Sequence, residues 1–221
     1  MKNPHKQADM NRLSELLKSG NKENIELAFQ LTESNNIGLD LFGWCMLSEW
    51  LYRFWVIGHY KPLEEAIIMI GEIRELVIVD ENLLKVPRYI GLMSNLTSIH
   101  FRSSRLNKLP KEIGDLPNIK DLTVVGGSFS EFPSTFSNMN NLEHLCLNDL
   151  GLDVVPDFIC KTPSIKRLFL ETNKITEIPK DIENITSLEE LFLHGNLIKE
   201  FPRTIGSLKC IGANKGSYSN Y

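Results

Sequence analysis

The amino-acid sequence predicts an α/β solenoid of short parallel strands, closed at its N-terminal end by helices. Prolines stand at positions 87, 110, 133, 156, 179 and 202, each 23 residues after the last and each behind an apolar residue: Val86, Leu109, Phe132, Val155, Ile178 and Phe201. A repeat this short cannot bury its own apolar face, so copies must stack and share one core. The second observation is a contrast: residues 8 to 34 lack that period and follow the spacing of amphipathic helices.

Taken in chain order, Met10, Leu13, Leu16 and Leu17 line one predicted helix, and Ile25, Leu27, Ala28 and Leu31 line a second. Ser19-Gly20-Asn21 between them makes the pair a helical hairpin. Trp44, Trp50 and Trp55 follow alongside Phe42, Leu47, Leu51 and Phe54. A stack of repeats leaves its end apolar, and this aromatic cluster is expected to seal it; a ligand pocket is the alternative use. Ile67, Ile70 and Ile73 lie one period before Ile90, Met93 and Leu96, so 62–75 reads as the convex half of a degenerate repeat. The capping region is therefore taken as 1–75, continuous with the array.

Within the array, apolar residues at Leu76, Ile99, Leu122, Leu145, Leu168 and Leu191 are followed two positions later by Ile78, Phe101, Val124, Leu147, Leu170 and Leu193. Alternation of that kind is the inward face of a strand. A third inward residue comes five positions on, at Leu83, Leu106, Phe129, Leu152, Ile175 and Ile198. Each proline then ends the strand-side segment by fixing φ and removing a donor, and sets such as Ile113, Leu116 and Ile119 suit short helical or 3-10 turns on the opposite side. Six repeats starting at 76, 99, 122, 145, 168 and 191 fill 76–213. A further repeat would begin at Asn214, and GANKGSYSNY does not supply one, so 214–221 is read as a polar tail. Whether the tail covers the last strand edge or leaves it open is undecided at this level.

The pattern LxLxxNxLxx(L/I/F)PxxIxxLxxL, clearest in LFLETNKITEIPKDIENITSLEE at 168–190, resembles the leucine-rich-repeat family and its 23-residue, proline-bearing subclass. GNKENIELAFQLTES, at 20–34, resembles stretches that precede such arrays in bacterial proteins. The resemblance implies a right-handed solenoid with a concave parallel sheet, and a non-enzymatic protein-interaction module recognising its partner through that sheet. The family also places an inward asparagine at the sixth repeat position. Only Asn173 and Asn196 comply, against Glu81, Ser104, Gly127 and Leu150, so the first four repeats are expected to be less regular. Thr162, in place of an apolar residue, predicts an irregularity on the convex side of the fourth.

Composition narrows the function further. Lys and Arg number 24 against 28 Asp and Glu, a net charge of -4, which argues against a nucleic-acid or membrane-surface partner. The longest apolar stretch is broken by Asp40, Glu49 and Arg53, and the polar start MKNPHKQADMNR has no signal-peptide core, so the expectation is a cytoplasmic protein. Cys45, Cys146, Cys160 and Cys210 are too far apart in sequence for a zinc pattern and are read as reduced thiols. Asn95-Leu-Thr and Asn184-Ile-Thr match the glycosylation pattern without a secretory context and are discounted.

No phosphate-binding, dinucleotide, zinc-protease or nucleophile-elbow motif occurs, and Gly126-Gly127-Ser128 lacks the lysine of a phosphate loop. His100 and His194 point outward but stand four strands apart, about 19 Å, too far to share a metal ion. Asp149 and Glu171 lie on adjacent strands as a possible acid–base pair, better explained by a solvated face. Cys146 is expected to face outward as an unactivated thiol, with His144 two residues before it. What remains is the outward face itself: Val77 and Val79, His100 and Arg102, Thr123 and Val125, Cys146 and Asn148, Phe169 and Glu171, Phe192 and His194. Phe169 and Phe192 on neighbouring strands form an aromatic pair in a polar surround that suits a recognition hot spot, or else pack together only to support strand pairing. The candidate partner-binding residues are thus His100, Arg102, Asn148, Asp149, Phe169, Glu171, Phe192 and His194. No cofactor or metal is expected, the partner is a protein, and a monomer is favoured. Two other readings stay open: a regulatory fragment of a larger enzyme, and a small-ligand sensor built on the tryptophan cluster.

Overall fold

The computed structural model describes residues 4–19, 21–35, 42–54, 56, 63–202 and 210–212. Trp55 and the 214–221 segment lie outside these. Four helices come first: α1 (Pro4–Lys18), α2 (Lys22–Asn35), α3 (Phe42–Arg53) and α4 (Leu63–Glu72). The turn between α1 and α2 is built by side chains, as Ser19 Oγ donates to the Leu16 carbonyl at 2.7 Å and Asn21 Oδ1 accepts from the Asn24 N–H at 3.0 Å. Asn21 thereby caps α2. Leu13 and Leu17 of α1 and Ile25 and Ala28 of α2 are buried, which makes the hairpin's inner face.

Seven parallel strands then pair in chain order: β1 (Glu75–Val79), β2 (Ser98–Arg102), β3 (Asp121–Val125), β4 (His144–Asn148), β5 (Arg167–Phe169), β6 (Glu190–Phe192) and β7 (Cys210–Gly212). The expected inward residues Leu76, Ile99, Leu122, Leu145, Leu168 and Leu191 are all fully buried. Register follows the sequence period, with Leu76 opposite Ile99 and Ile99 opposite Leu122. One expectation fails here. A seventh strand follows the sixth after 20 residues rather than 23, with Glu190 opposite Cys210, so pairing continues before Asn214 is reached. The step escapes a search for the repeat because Ile211, the counterpart of Leu191, comes three residues early.

Opposite the sheet, the segments after the prolines form 3-10 turns at Arg88–Leu92, Lys111–Ile113, Ser134–Asn138 and Lys180–Asn184. Among the described residues, the fourth repeat alone makes an α-helical turn, α5 (Asp157–Cys160), and buried Thr162 satisfies its hydroxyl on the Phe158 carbonyl at 2.9 Å. That is the local irregularity Thr162 signalled. Ile67 and Ile70 of α4 are fully buried, but as part of a regular helix packed on α2 and α3 rather than a 3-10 turn. Arg74 shows how far the repeat reaches backward. Its carbonyl accepts the N–H groups of Thr97 and Ser98, as the Thr97 carbonyl does for Lys120 and Asp121.

Trp44, Leu47 and Leu51 of α3 join the same apolar cluster that runs through the repeats to Leu193, so cap and array share one core. Polar ties reinforce it. Ser94 Oγ donates to the Lys18 carbonyl, and Asn95 Nδ2 donates to the Gly71 carbonyl at 2.9 Å. Phe129, Phe132, Phe136 and Phe158 meet within the third and fourth repeats, with Phe129 and Phe132 stacked at 5.2 Å between centroids.

Candidate functional site

Strand alternation that buries Leu76 and Ile78 turns their neighbours outward, and the 23-residue register aligns those neighbours into columns across the sheet. One column runs Val77, His100, Thr123, Cys146, Phe169, Phe192 and ends at Gly212; the next runs Val79, Arg102, Val125, Asn148. Val77 is 50% exposed and Val79 70%, leaving the sheet's first strand with an open apolar edge to this face.

Phe169 and Phe192 stack at 4.5 Å with their planes 1° apart. Each is half-buried rather than exposed as expected, because each ring covers one face of the other. Beside them Asn148 and Glu171 bind one another twice: Asn148 Nδ2 donates to Glu171 Oε2 at 3.2 Å, and the Glu171 N–H donates to Asn148 Oδ1 at 2.8 Å. Glu171 is therefore held by an amide, not paired with Asp149 for proton transfer. Asp149 and His194 stand exposed at the same end of the sheet, and Asp149 adopts a positive φ of 56°. At the other end, Arg102 is exposed, and His100 Nε2 lies 2.6 Å from Ser98 Oγ and 3.7 Å from Glu75.

Cys146 departs from expectation. Its thiol is half-buried between Thr123 and Phe169, and burial pushes its pKa up to about 11. A thiol so protonated is a poor nucleophile at neutral pH. Gly126 and Gly127 serve the backbone: at φ of 108° a side chain on Gly127 would stand 2.1 Å from the Leu106 carbonyl oxygen. Among the described residues no cluster of three His, Cys, Asp or Glu is arranged to hold a metal ion, and no helix is long and apolar enough to cross a membrane.

Two polar features were missed from sequence. His144 Nδ1 lies 2.6 Å from Asp121 Oδ1, and Lys166 Nζ donates to Glu143 Oε2 at 2.6 Å, which holds the Glu143 carboxyl below its ordinary range. Both join residues 23 apart, so the signal was complementary polar side chains at one full period. This rim of the sheet neutralises itself, in contrast to Arg102 and Asp149, which make no salt bridge among the described residues.

No family profile matches the chain, and no curated protein does. Solved structures do. A leucine-rich-repeat protein of Leptospira interrogans is 28% identical, with a TM-score of 0.61 over 68% of this chain and 38% of its own. The fold is that of a leucine-rich-repeat solenoid. A plant ice-binding protein is similar at 30% identity and a TM-score of 0.52, over 63% of this chain and 48% of its own. This chain spans less than half the length of either neighbour. Its fold is the α/β solenoid expected of the repeat, with the outward columns on the concave side of the sheet.

Proposed function

We propose that this chain is a non-enzymatic interaction module that recognises a protein partner through its concave sheet. The carrying observation is the stacked Phe169–Phe192 pair, half accessible on the outward face and bordered by the Asn148–Glu171 bonds. An aromatic surface on paired strands loses little side-chain freedom on binding, which is where a hot spot gains its energy. His100, Arg102, Asp149 and His194 complete the proposed contact face. The described thiols Cys45, Cys146 and Cys160 are free, which supports a reducing compartment and hence the cytoplasm. Ice binding does not carry over, because neither outward column repeats one residue type along the sheet.

The test is capture from lysate by the intact protein and by the Phe169→Ala, Phe192→Ala double variant. We expect a partner retained by the first and lost by the second, while both melt cooperatively. Equal capture by a folded double variant rejects the concave surface and moves the interface to the cap or convex side.

A further inference from the structure

The concave face carries exposed charges of opposite sign on separate strands. Arg102 on β2 is an exposed cation without a salt bridge among the described residues; Glu81, whose carboxylate accepts the Ser104 N–H at 3.1 Å, is near enough to feel its charge without pairing with it. Toward the other end, Asp149 is exposed without a salt bridge, and Glu171 spends one carboxylate oxygen on Asn148. Next to Glu171 stands the aromatic stack. Its last ring, Phe192, lies in register with Gly212 of β7, a residue with no side chain to cover the ring's outer side.

These three features have a fixed order and spacing. From Arg102 through Val125 and Asn148 to Glu171 is three strand steps, about 14 Å at the usual strand separation. An extended chain advances about 3.3 Å per residue and turns alternate side chains to the same side, so about four residues cover that distance. Two more residues advance about 6.6 Å, just past Phe192 one strand on, from where a long side chain can lean toward Gly212.

Resting on the reading of the concave face as the interface, we infer that the partner element is an extended peptide segment laid across the strands. It carries an acidic side chain over Arg102, a basic one four residues away over Glu171 and Asp149, and an aromatic ring two residues further that leans onto the face of Phe192 turned toward Gly212. Charge order sets the direction of docking, and the ring supplies the anchor.

The probe is a labelled heptapeptide of Ser and Gly with Asp first, Arg fifth and Trp seventh, measured by anisotropy together with its retro-sequence and with both peptides after exchange of Asp and Arg. We expect one of the first two to bind at least tenfold more tightly than its charge-exchanged version. Arg102→Glu should weaken that binding at least fivefold, and adding Glu171→Arg should reverse the preference toward the exchanged peptide. A merely structural role for these side chains would not produce reversal. Phe192→Ala should abolish binding of both. Absence of binding by every peptide, or equal binding of both charge orders, overturns the inference. If the lysate partner is lost with the aromatic double variant but kept by Arg102→Glu, Glu171→Arg, the concave interface stands and the charge-ordered peptide falls; if the aromatic variant also keeps it, both fall.

Discussion

The first four repeats and the two that follow share one period but satisfy their buried backbone differently. In the later pair, asparagine does the work. Asn173 is buried, donates to the Leu147 and Leu170 carbonyls at 2.8 and 3.0 Å, and accepts the N–H groups of Leu150 and Leu152 at 3.0 and 3.1 Å. Asn196 repeats the pattern on Leu170, Leu193 and Ile175. The earlier repeats use several substitutes. Buried Ser103 donates to the Leu83 carbonyl at 3.0 Å, Glu81 accepts from Ser104, and the Phe129 N–H reaches the main-chain oxygen of Leu150 at 2.9 Å.

A second ladder lies on their convex side. Asn95, Asn118 and Asn141 each donate to a carbonyl of the preceding repeat, on Gly71, Ser94 and Pro117, all at 2.9 Å. With these in place, the first four strands run five residues each while β5 and β6 run three, the opposite of the irregularity expected of them. Strand regularity thus depends on satisfying every buried polar group, and several residue types can do it.

The sharpest way to break this contrast is Asn173→Ala, which takes the amide from the Leu147 carbonyl and the Leu150 and Leu152 N–H groups in the core, while the Leu170 carbonyl keeps its bond from Asn196. At about 1–3 kcal/mol for each unmet group, with partial relaxation, a loss of about 4 kcal/mol in urea unfolding is expected. Gly127→Ala attacks the substitute system. The added carbon would meet the Leu106 carbonyl at a φ of 108°, and about 3 kcal/mol should be lost on the same measurement. Asn118→Ala removes a single exposed bond to Ser94 and should cost about 1 kcal/mol or less, so that a loss as large as that of Asn173→Ala would erase the distinction between the two ladders.

The smallest effect concerns Cys146, at the boundary between the regions. Its thiol titrates near 11 when folded against 9.0 in the open chain, so the neutral form favours the folded state. That contribution is whole below pH 9 and fades as pH rises toward 11, so the fall in stability over this window should be shallower in Cys146→Ala. A neutral-pH thiol reagent should label Cys146 slowly in the folded protein and readily in urea.

Much of this was legible in the chain itself, for physical reasons. Leu76 through Leu191 are inward because strand alternation leaves no other choice, and Asn173 was recognisable because a buried amide at that position matches four backbone groups. Accessibility was harder to foresee. Alternation gives the direction of Cys146, Phe169 and Phe192, but their half-burial comes from side chains one strand away. The convex asparagines did recur at 23 residues, and a search for polar as well as apolar periodicity finds them. β7 breaks the period, so no periodic reading reaches it.

The grouping of all three tryptophans at 44, 50 and 55 has a spectroscopic consequence. Indole emission reports on the cap alone, while far-ultraviolet dichroism reports on cap and array together. Comparing the two melting curves of one unlabelled sample therefore reads out how firmly the Ser94 and Asn95 ties bind the helices to the repeats. The protein carries its own local thermometer at one end.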